Sequence, residues 1–317
     1  MKKISIIIPI YNESGNLEAL YEALRPLIDN ELTENQYDWE VLLINDGSKD
    51  NSADITAGIR RRDARFKDIN LSRNFGKENA MAAGFDLASG DAAVIMDADL
   101  QHPVGSIPQM IKEWENGWHD VYGLRSDRAA DSWLKRKLTG LYYRILQRST
   151  RIDVLADAGD FRLLDRRCVD ALRRLRESER NTKALYSWIG FKKKHIDFEV
   201  GSRRAGNSSF SYGRLLTLAI DGVTGFTTAP LRFASILGLL TSTGALFYLL
   251  YVLFKTIIYG DPVQGFPTLM CTILLLGGIQ LLAIGIIGEY IARIFHETKN
   301  HPLYIIDTIN GLPEKPQ

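Results

Sequence analysis

Along the first hundred residues, short apolar runs alternate with segments whose apolar positions recur every three or four residues. Ile4 to Ile10 is a continuous run rich in β-branched residues, the pattern of a strand buried on both faces. Pro9-Ile10-Tyr11-Asn12-Glu13-Ser14 closes it, and Ser14 or Asn16 can cap a helix that runs to about Leu27, ended or kinked by Pro26. The pattern then predicts strands over Trp39–Ile44, Asp68–Leu71 and Ala92–Met96, with helices over Ser52–Arg62 and from Lys77 to about Ala88. Strands alternating with helices predict βαβ units and a mainly parallel sheet, an α/β nucleotide-binding architecture. Further on, the spacing predicts helices over Val104–Asn116, Arg166–Arg176 and Lys183–Ile189, with short strands at Val121–Gly123 and Ile196–Val200. Trp133 to Arg148 has a broad face of Trp133, Leu134, Leu138, Leu141, Tyr142, Ile145 and Leu146 opposed by five basic residues. It fits a helix lying in a membrane interface and also an ordinary surface helix packed on the sheet.

The pattern changes at Phe233. Phe233–Phe254 and Phe266–Gly288 are 22 and 23 residues without a charge. At about 1.5 Å per residue, each spans a hydrocarbon core of about 30 Å. The short gap between them makes a hairpin with both chain ends on one side. Lys and Arg abound before Phe233 and recur at Arg293 and Lys299, which puts those ends in the cytoplasm. The expected organisation is a catalytic domain over 1–230 with an interfacial helix near 131–150. Two transmembrane helices at about 233–257 and 266–290 lie within 231–292, and a cytoplasmic tail covers 293–317.

Composition adds a few exclusions. The net charge is +1, which argues against a polyanionic partner such as nucleic acid. Two cysteines, Cys168 and Cys271, lie far apart and offer neither a metal cluster nor a disulfide framework. The N-terminal apolar run is too short for a signal peptide.

The candidate chemistry sits at the predicted strand ends. Val94-Ile95-Met96-Asp97-Ala98-Asp99-Leu100-Gln101-His102-Pro103 ends an apolar run in two carboxylates one residue apart. Alone, this fits a turn with solvated acids as well as a grip on Mg²⁺ or Mn²⁺. Glu13 and Asp46 also fall at strand ends, and several acids converging on one sheet edge need a cation between them. No Gly-rich dinucleotide fingerprint or phosphate-cradling Gly-Lys-Ser loop follows the first strand. Asp160, beside Gly159, is either a site residue or a turn carboxylate. The cationic loop Ser202–Ser209 is either a phosphate grip or a solvated linker.

Five ordered motifs together resemble glycosyltransferase family 2, enzymes with a GT-A fold: Ile8-Pro9-Ile10-Tyr11-Asn12-Glu13, Asn45-Asp46-Gly47-Ser48-Lys49-Asp50, Ser72-Arg73-Asn74-Phe75-Gly76-Lys77, Asp97-Ala98-Asp99-Leu100-Gln101-His102-Pro103 and Gly159-Asp160-Phe161-Arg162-Leu163. With the C-terminal hairpin, Gly288-Glu289-Tyr290-Ile291-Ala292-Arg293 and Pro302-Leu303-Tyr304, the likeness narrows to polyprenyl-phosphate glycosyltransferases, especially bactoprenol glucosyltransferases, with dolichol-phosphate mannose synthases as relatives. The resemblance implies inverting, metal-dependent transfer of a hexose from a nucleotide sugar, UDP-glucose first, to undecaprenyl phosphate at the cytoplasmic face of a bacterial inner membrane, for O-antigen or other cell-surface glycan modification. Mannose, N-acetylglucosamine or an aminoarabinose derivative is the alternative sugar, and a non-enzymatic scaffold or flippase is the more distant alternative. By the family pattern, Pro9, Tyr11, Glu13 and Asp46 hold the nucleotide, with Lys77 near the donor site. Asp97, Asp99 and Gln101 bind the metal, Mg²⁺ or Mn²⁺. Asp160, with Asp99, is catalytic, and Arg125, Arg128, Arg203 and Arg204 are candidates for the acceptor phosphate. A homo-oligomer, a tetramer by resemblance, is implied as well. Two departures stand out: Ser209 occupies the place of a usual Lys, and His301 that of a frequent Arg.

Overall fold

The computed structural model describes residues 1–31, 37–125, 159–178, 180–198, 229–259 and 265–313. The chain forms two compact units, one holding the sheet with the residues from His301 onward, the other the two long C-terminal helices.

Four parallel strands make the centre of the first unit, in the order β4 (Ala92–Ile95), β1 (Lys2–Ile10), β2 (Tyr37–Asn45), β3 (Phe66–Leu71). They are joined by α1 (Leu17–Pro26), α2 (Ser52–Arg62) and α3 (Lys77–Leu87). Ile4, Ile6, Ile7 and Ile8 are all fully buried, so consecutive side chains face packed layers on both sides of the sheet. Pro26 is the last residue of α1, and the chain continues as a π turn over Leu27–Glu31. Helix α3 lies unusually close to β1. A Cβ at Gly84 would come within 2.2 Å of Ile7 Cγ2, so only glycine lets this helix, and Lys77 at its start, sit where they do.

The parallel arrangement expected from the sequence holds for these central strands, while the sheet, nine strands among the described residues, is mixed. Helix α4 (Ile107–Glu115), entered through a 3₁₀ turn at Val104–Ser106, carries the chain from β4 to β5 (Asp120–Arg125). A gap is left between β4 and β5, and β6 (Arg162–Asp165) fills it antiparallel to both. Then α5 (Arg166–Arg174) and α6 (Thr182–Trp188) lead to β7 (Lys193–Phe198), parallel to β5 at one sheet edge.

The other edge is closed by the C-terminal segment. β8 (Ile306–Ile309) pairs antiparallel with β3, and β9 (Leu312–Pro313) pairs with β8. Side chains reinforce the seam: Asn70 Nδ2 donates to Thr308 Oγ1 (3.0 Å) and Tyr304 Oη to Asp86 Oδ2 (2.6 Å). Part of the segment expected as a tail is therefore integral to the sheet.

The second unit holds α7 (Ala229–Tyr259) and α8 (Phe266–Thr298). Large apolar side chains such as Leu239, Leu240, Phe247, Leu281 and Ile284 are exposed on them. Among the described residues, one stretch, Leu275–Thr298, passes for a membrane span by length and composition. The amphipathic segment Trp133–Arg148, the loop Ser202–Ser209 with Arg203 and Arg204, and Arg128 lie outside the described residues.

Candidate active site

The carboxyl ends of β1, β2 and β4 carry the predicted acids to one edge of the sheet, the side where open α/β sheets bind ligands. Asp97 and Asp99 follow β4 in a tight turn. Leu100 has φ +60°, a left-handed conformation that costs a branched side chain about 1–2 kcal/mol. The turn is held from within. The Gln101 N–H donates to Asp99 Oδ1 (3.1 Å), and His102 Nδ1 accepts the Asp97 N–H (3.1 Å). That bond assigns the His102 proton to Nε2. The His102 ring is buried, stacked on Phe161 with centroids 4.8 Å apart and edge-on to Phe198. A Cβ at Gly123 would come within 2.5 Å of Phe198 and 3.0 Å of Phe161, so this glycine makes room for the aromatic floor under the turn.

Lys77, at the start of α3, reaches the same place. Its Nζ lies 2.6 Å from Asp97 Oδ1 and 2.8 Å from Asp160 Oδ2, so one ammonium bridges two of the predicted acids. Burial alone would depress the Lys77 ammonium, but Asp97 and Asp160 outweigh it and hold its pKa above the ordinary lysine value. Burial alone would raise Asp160, but Lys77 and then Lys183 hold its carboxyl below the usual range, and Asp160 is a carboxylate at neutral pH. Among the described residues, the buried Asp160 Oδ1 has no hydrogen-bond partner. Glu78, next to Lys77, accepts from the Thr182 N–H (3.0 Å) and from its hydroxyl; burial nonetheless pushes its carboxyl up.

The other predicted residues divide. Asp46 is buried, and both its oxygens are taken by backbone: Phe75 N–H donates to Oδ1 (2.7 Å) and Gly76 N–H to Oδ2 (2.9 Å). Burial raises its pKa, with these two bonds opposing. Asp46 thus fastens the loop that delivers Lys77, a role the sequence did not announce. Gly47, at φ +63°, lets the same two loops touch, since a Cβ there would lie 2.5 Å from the Arg73 carbonyl carbon. Pro9 lies in β1 opposite Ile44, and Tyr11 beyond it is exposed. The Glu13 N–H donates to Ser52 Oγ (3.1 Å), and Glu13 Oε2 accepts from Asn16 Nδ2 (2.6 Å). Asn16 therefore precedes α1 without capping it through its side chain. Arg125 ends β5, and its side chain is outside the described set.

A buried ion pair behind Asp160 joins two residues that sequence reasoning did not connect. Arg162 is 2 % exposed and donates to both oxygens of Asp120, itself 0 % exposed, at 3.2 and 2.9 Å. Its Nη2 donates to the Gly159 carbonyl (3.1 Å), and its guanidinium lies 3.7 Å above the Tyr186 ring. The signal was the Arg two residues after Asp160, but its partner becomes visible only through the β5–β6 pairing.

Among the described residues no set of three or more His, Cys, Asp or Glu comes together, so an ion held by the acids of the Asp97–Asp99 turn would take its remaining ligands from substrate or water. Asp97 and Asp99 fit such an ion, and Gln101 is on the same turn.

With this geometry, the matches to known proteins are specific. Residues 5–173 match the model of Glycosyl transferase family 2, and the chain belongs to that family; it is a glycosyltransferase with a GT-A fold. Residues 229–294 match a second model, the GtrB C-terminal hairpin. The SfII prophage-derived bactoprenol glucosyl transferase of Shigella flexneri is 38 % identical over 304 residues, 96 % of this chain and 97 % of the relative. The prophage bactoprenol glucosyl transferase homolog of Escherichia coli (strain K12) is 38 % identical over 307 residues, 97 % and 99 % of the two chains. An uncharacterized glycosyltransferase of Synechocystis sp., sll0501, is 38 % identical over 99 % of this chain and 98 % of its own. Among solved structures, glucosyl-3-phosphoglycerate synthase from Mycobacterium tuberculosis, in complex with Mn²⁺, UDP-glucose and phosphoglyceric acid, is a distant likeness: TM-score 0.47, 17 % identity, 70 % of this chain and 78 % of that one.

Proposed function

We propose that this protein moves glucose from UDP-glucose to undecaprenyl phosphate or a similar polyprenyl phosphate at the cytoplasmic face of the bacterial inner membrane, supplying a lipid-linked sugar for cell-surface glycans. The observation that carries the reading is the meeting of Lys77, Asp97 and Asp160 at the carboxyl edge of a family 2 sheet. Relatives named bactoprenol glucosyl transferases match nearly the whole chain, hairpin included.

In this reading Pro9, Tyr11 and Glu13 lie along the nucleotide, and Asp46 acts by holding the loop before Lys77. Asp97 and Asp99, with Gln101 beside them, hold Mg²⁺ or Mn²⁺. Bound there, the cation supplies neutralisation of the charge that grows on the departing diphosphate. The acceptor is a phosphate monoester whose second pKa is about 6. One of its oxygens attacks the anomeric carbon as the bond to the donor phosphate breaks, and that electron pair leaves with UDP. The sugar carbon inverts. A dianionic acceptor has no proton to surrender, so Asp160, already ionised and tied to Lys77, orients groups rather than removing a proton. Arg125, Arg128, Arg203 and Arg204 are the proposed grip on the lipid phosphate.

The hairpin belongs to the same reading. Two spans keep both ends and the catalytic unit on the cytoplasmic side, and the interfacial segment near 131–150 holds the unit at headgroup level. Homo-oligomer assembly through the hairpin is part of the proposal; Gly277, Gly278, Gly285 and Gly288 have open space around them, which permits close helix packing.

The test is a panel of radiolabelled UDP-glucose, GDP-mannose and UDP-N-acetylglucosamine offered to detergent-purified full-length protein with a short polyprenyl phosphate. Divalent-ion-dependent transfer of glucose into solvent-extractable lipid is expected. Transfer of another sugar alone would reassign the donor, and transfer of none would overturn the activity. Asp160→Asn is expected to lose turnover that no rise in pH restores, with UDP binding intact; recovery at high pH would make Asp160 a base.

A further inference from the structure

We propose that Lys77 is a resident counter-cation that keeps the metal grip closed in the free enzyme, so that metal and nucleotide enter together. The inference rests on the reading of Asp97 and Asp99 as that grip.

Lys77 Nζ stands 2.6 Å from Asp97 Oδ1 and 2.8 Å from Asp160 Oδ2. A divalent ion bound through Asp97 would sit about 2.0–2.1 Å from a carboxylate oxygen if it were Mg²⁺. The ammonium already holds Oδ1 of that carboxylate, and two positive charges so close repel strongly. Metal entry is therefore opposed for as long as Lys77 stays on Asp97. With no other cation to replace it, departure of Lys77 would leave Asp97 and Asp160 facing each other without a cation between them. Asp160 in addition has one buried oxygen without a partner among the described residues.

A nucleoside diphosphate changes this balance. Its oxygens offer Lys77 an alternative anion and offer the metal the ligands that the protein lacks, since the described residues supply no third His, Cys, Asp or Glu to the grip. Lysine suits the task. Its charge is a point on a flexible four-carbon stem with three donors, free to pivot between carboxylate and phosphate. Its base is rigid: Asp46 holds the Gly76 N–H just before it, and Gly84 seats the helix on Ile7. The stem can swing while the helix stays. By linkage, whatever factor the nucleotide adds to metal affinity the metal adds to nucleotide affinity.

The test is Mn²⁺ binding, followed by electron paramagnetic resonance on the purified full-length protein with and without UDP, for wild type, Lys77→Met, Lys77→Gln and Asp99→Ala. Two neutral variants guard against one that folds poorly, and circular dichroism checks each. Wild type is expected to bind Mn²⁺ weakly alone and more tightly with UDP. The neutral variants are expected to bind Mn²⁺ alone about tenfold more tightly than wild type, a gain of about 1.4 kcal/mol. Equal affinity of wild type and both variants without UDP, with binding still lost in Asp99→Ala, would overturn the role of Lys77 and leave the metal grip standing. Absence of Mn²⁺ binding with or without UDP, or binding indifferent to Asp99→Ala, would overturn the grip and the proposal together.

Discussion

Two ion pairs lie two residues apart in the chain and do opposite things. Asp160 is paired with Lys77, whose side chain is 41 % exposed, at the open edge of the sheet. Arg162 is paired with Asp120 where neither side chain meets water, with a second bond to Gly159 and a ring beneath it. The open pair uses a flexible ammonium that can trade one anion for another. The closed pair uses a planar fork whose contacts leave it no alternative. The difference teaches where this protein keeps its adaptability: in the charges that substrate must displace, braced from behind by charges that nothing displaces.

The sharpest way to break this contrast is to remove one member of the closed pair. Arg162→Met leaves Asp120 buried and unpaired, and is expected to cost about 3–5 kcal/mol of stability. Replacing both, as Arg162→Met with Asp120→Leu, is expected to recover most of that loss, because two desolvated charges are replaced by apolar packing. Thermal unfolding in detergent measures both. A double variant as unstable as the single one would show that the pair contributes more than its charges.

Next in size is the open centre. Asp99→Ala is expected to lower donor turnover about 10²–10³-fold, in the range seen when one group stabilising a developing charge is removed. Its unfolding temperature should stay near that of wild type, since Asp99 is only partly buried and, among the described residues, accepts from the Gln101 N–H of its own turn. A loss of stability as large as that of Arg162→Met would erase the distinction between the two regions.

Glu40 lies between the extremes: a buried acid whose cations are surface lysines. Burial alone would raise its carboxyl, but Lys67, Ser5 and Ser89 hold it down to about 2. Because the folded value is depressed, the stabilisation is complete above the unfolded value of about 4.5 and is lost as pH falls from there to about 2. A shift of this size corresponds to about 3 kcal/mol. Glu40→Gln is expected to lower stability by about that much at pH 7 and to flatten the pH dependence of unfolding over that acid window. An unchanged slope would show that the lysines do not hold Glu40 as their 2.6 Å and 3.4 Å contacts indicate.

How much of this was legible follows from how far apart the partners lie. The β-branched run Ile4–Ile10 and the acids closing β4 are local patterns, and they gave the central strands, the sheet edge that carries the site, and Asp97 and Asp99. Asp160 and Lys77 came from motif resemblance, and their meeting required the fold: 83 residues separate them. Arg162 and Asp120 left no periodic trace, since one polar residue in a short strand reads like any other until β6 inserts beside β5. Asp46 was legible as important but not as a fastener, because its partners are backbone N–H groups, which every sequence has. β8 was hidden because four residues after a long apolar helix carry too little pattern to mark a strand, and only the open edge of β3 makes them one.

That edge supplies the smallest predicted effect and a third kind of charge site. Asp86 is held at 2.7 Å by Arg176 and at 3.6 Å by Arg173, and it accepts from the Tyr304 hydroxyl at 2.6 Å. Both arginines are about half-exposed, and such surface pairs contribute about 0–1 kcal/mol each. Tyr304 adds one neutral donor, worth about 1 kcal/mol or somewhat more to a charged acceptor. Tyr304→Phe keeps the ring and removes only the hydroxyl, and leaves the backbone bond from the Ser72 N–H to the Ile305 carbonyl intact. The expected result is a loss of about 1 kcal/mol, read as a small drop in unfolding temperature, with donor turnover unchanged. Because β8 hangs on β3, and β3 leads directly into the loop that presents Lys77, a fall in turnover would carry a different meaning. The C-terminal edge would then be tensioning the donor loop, and the adaptability assigned to the Lys77 side chain would extend into the backbone beneath it.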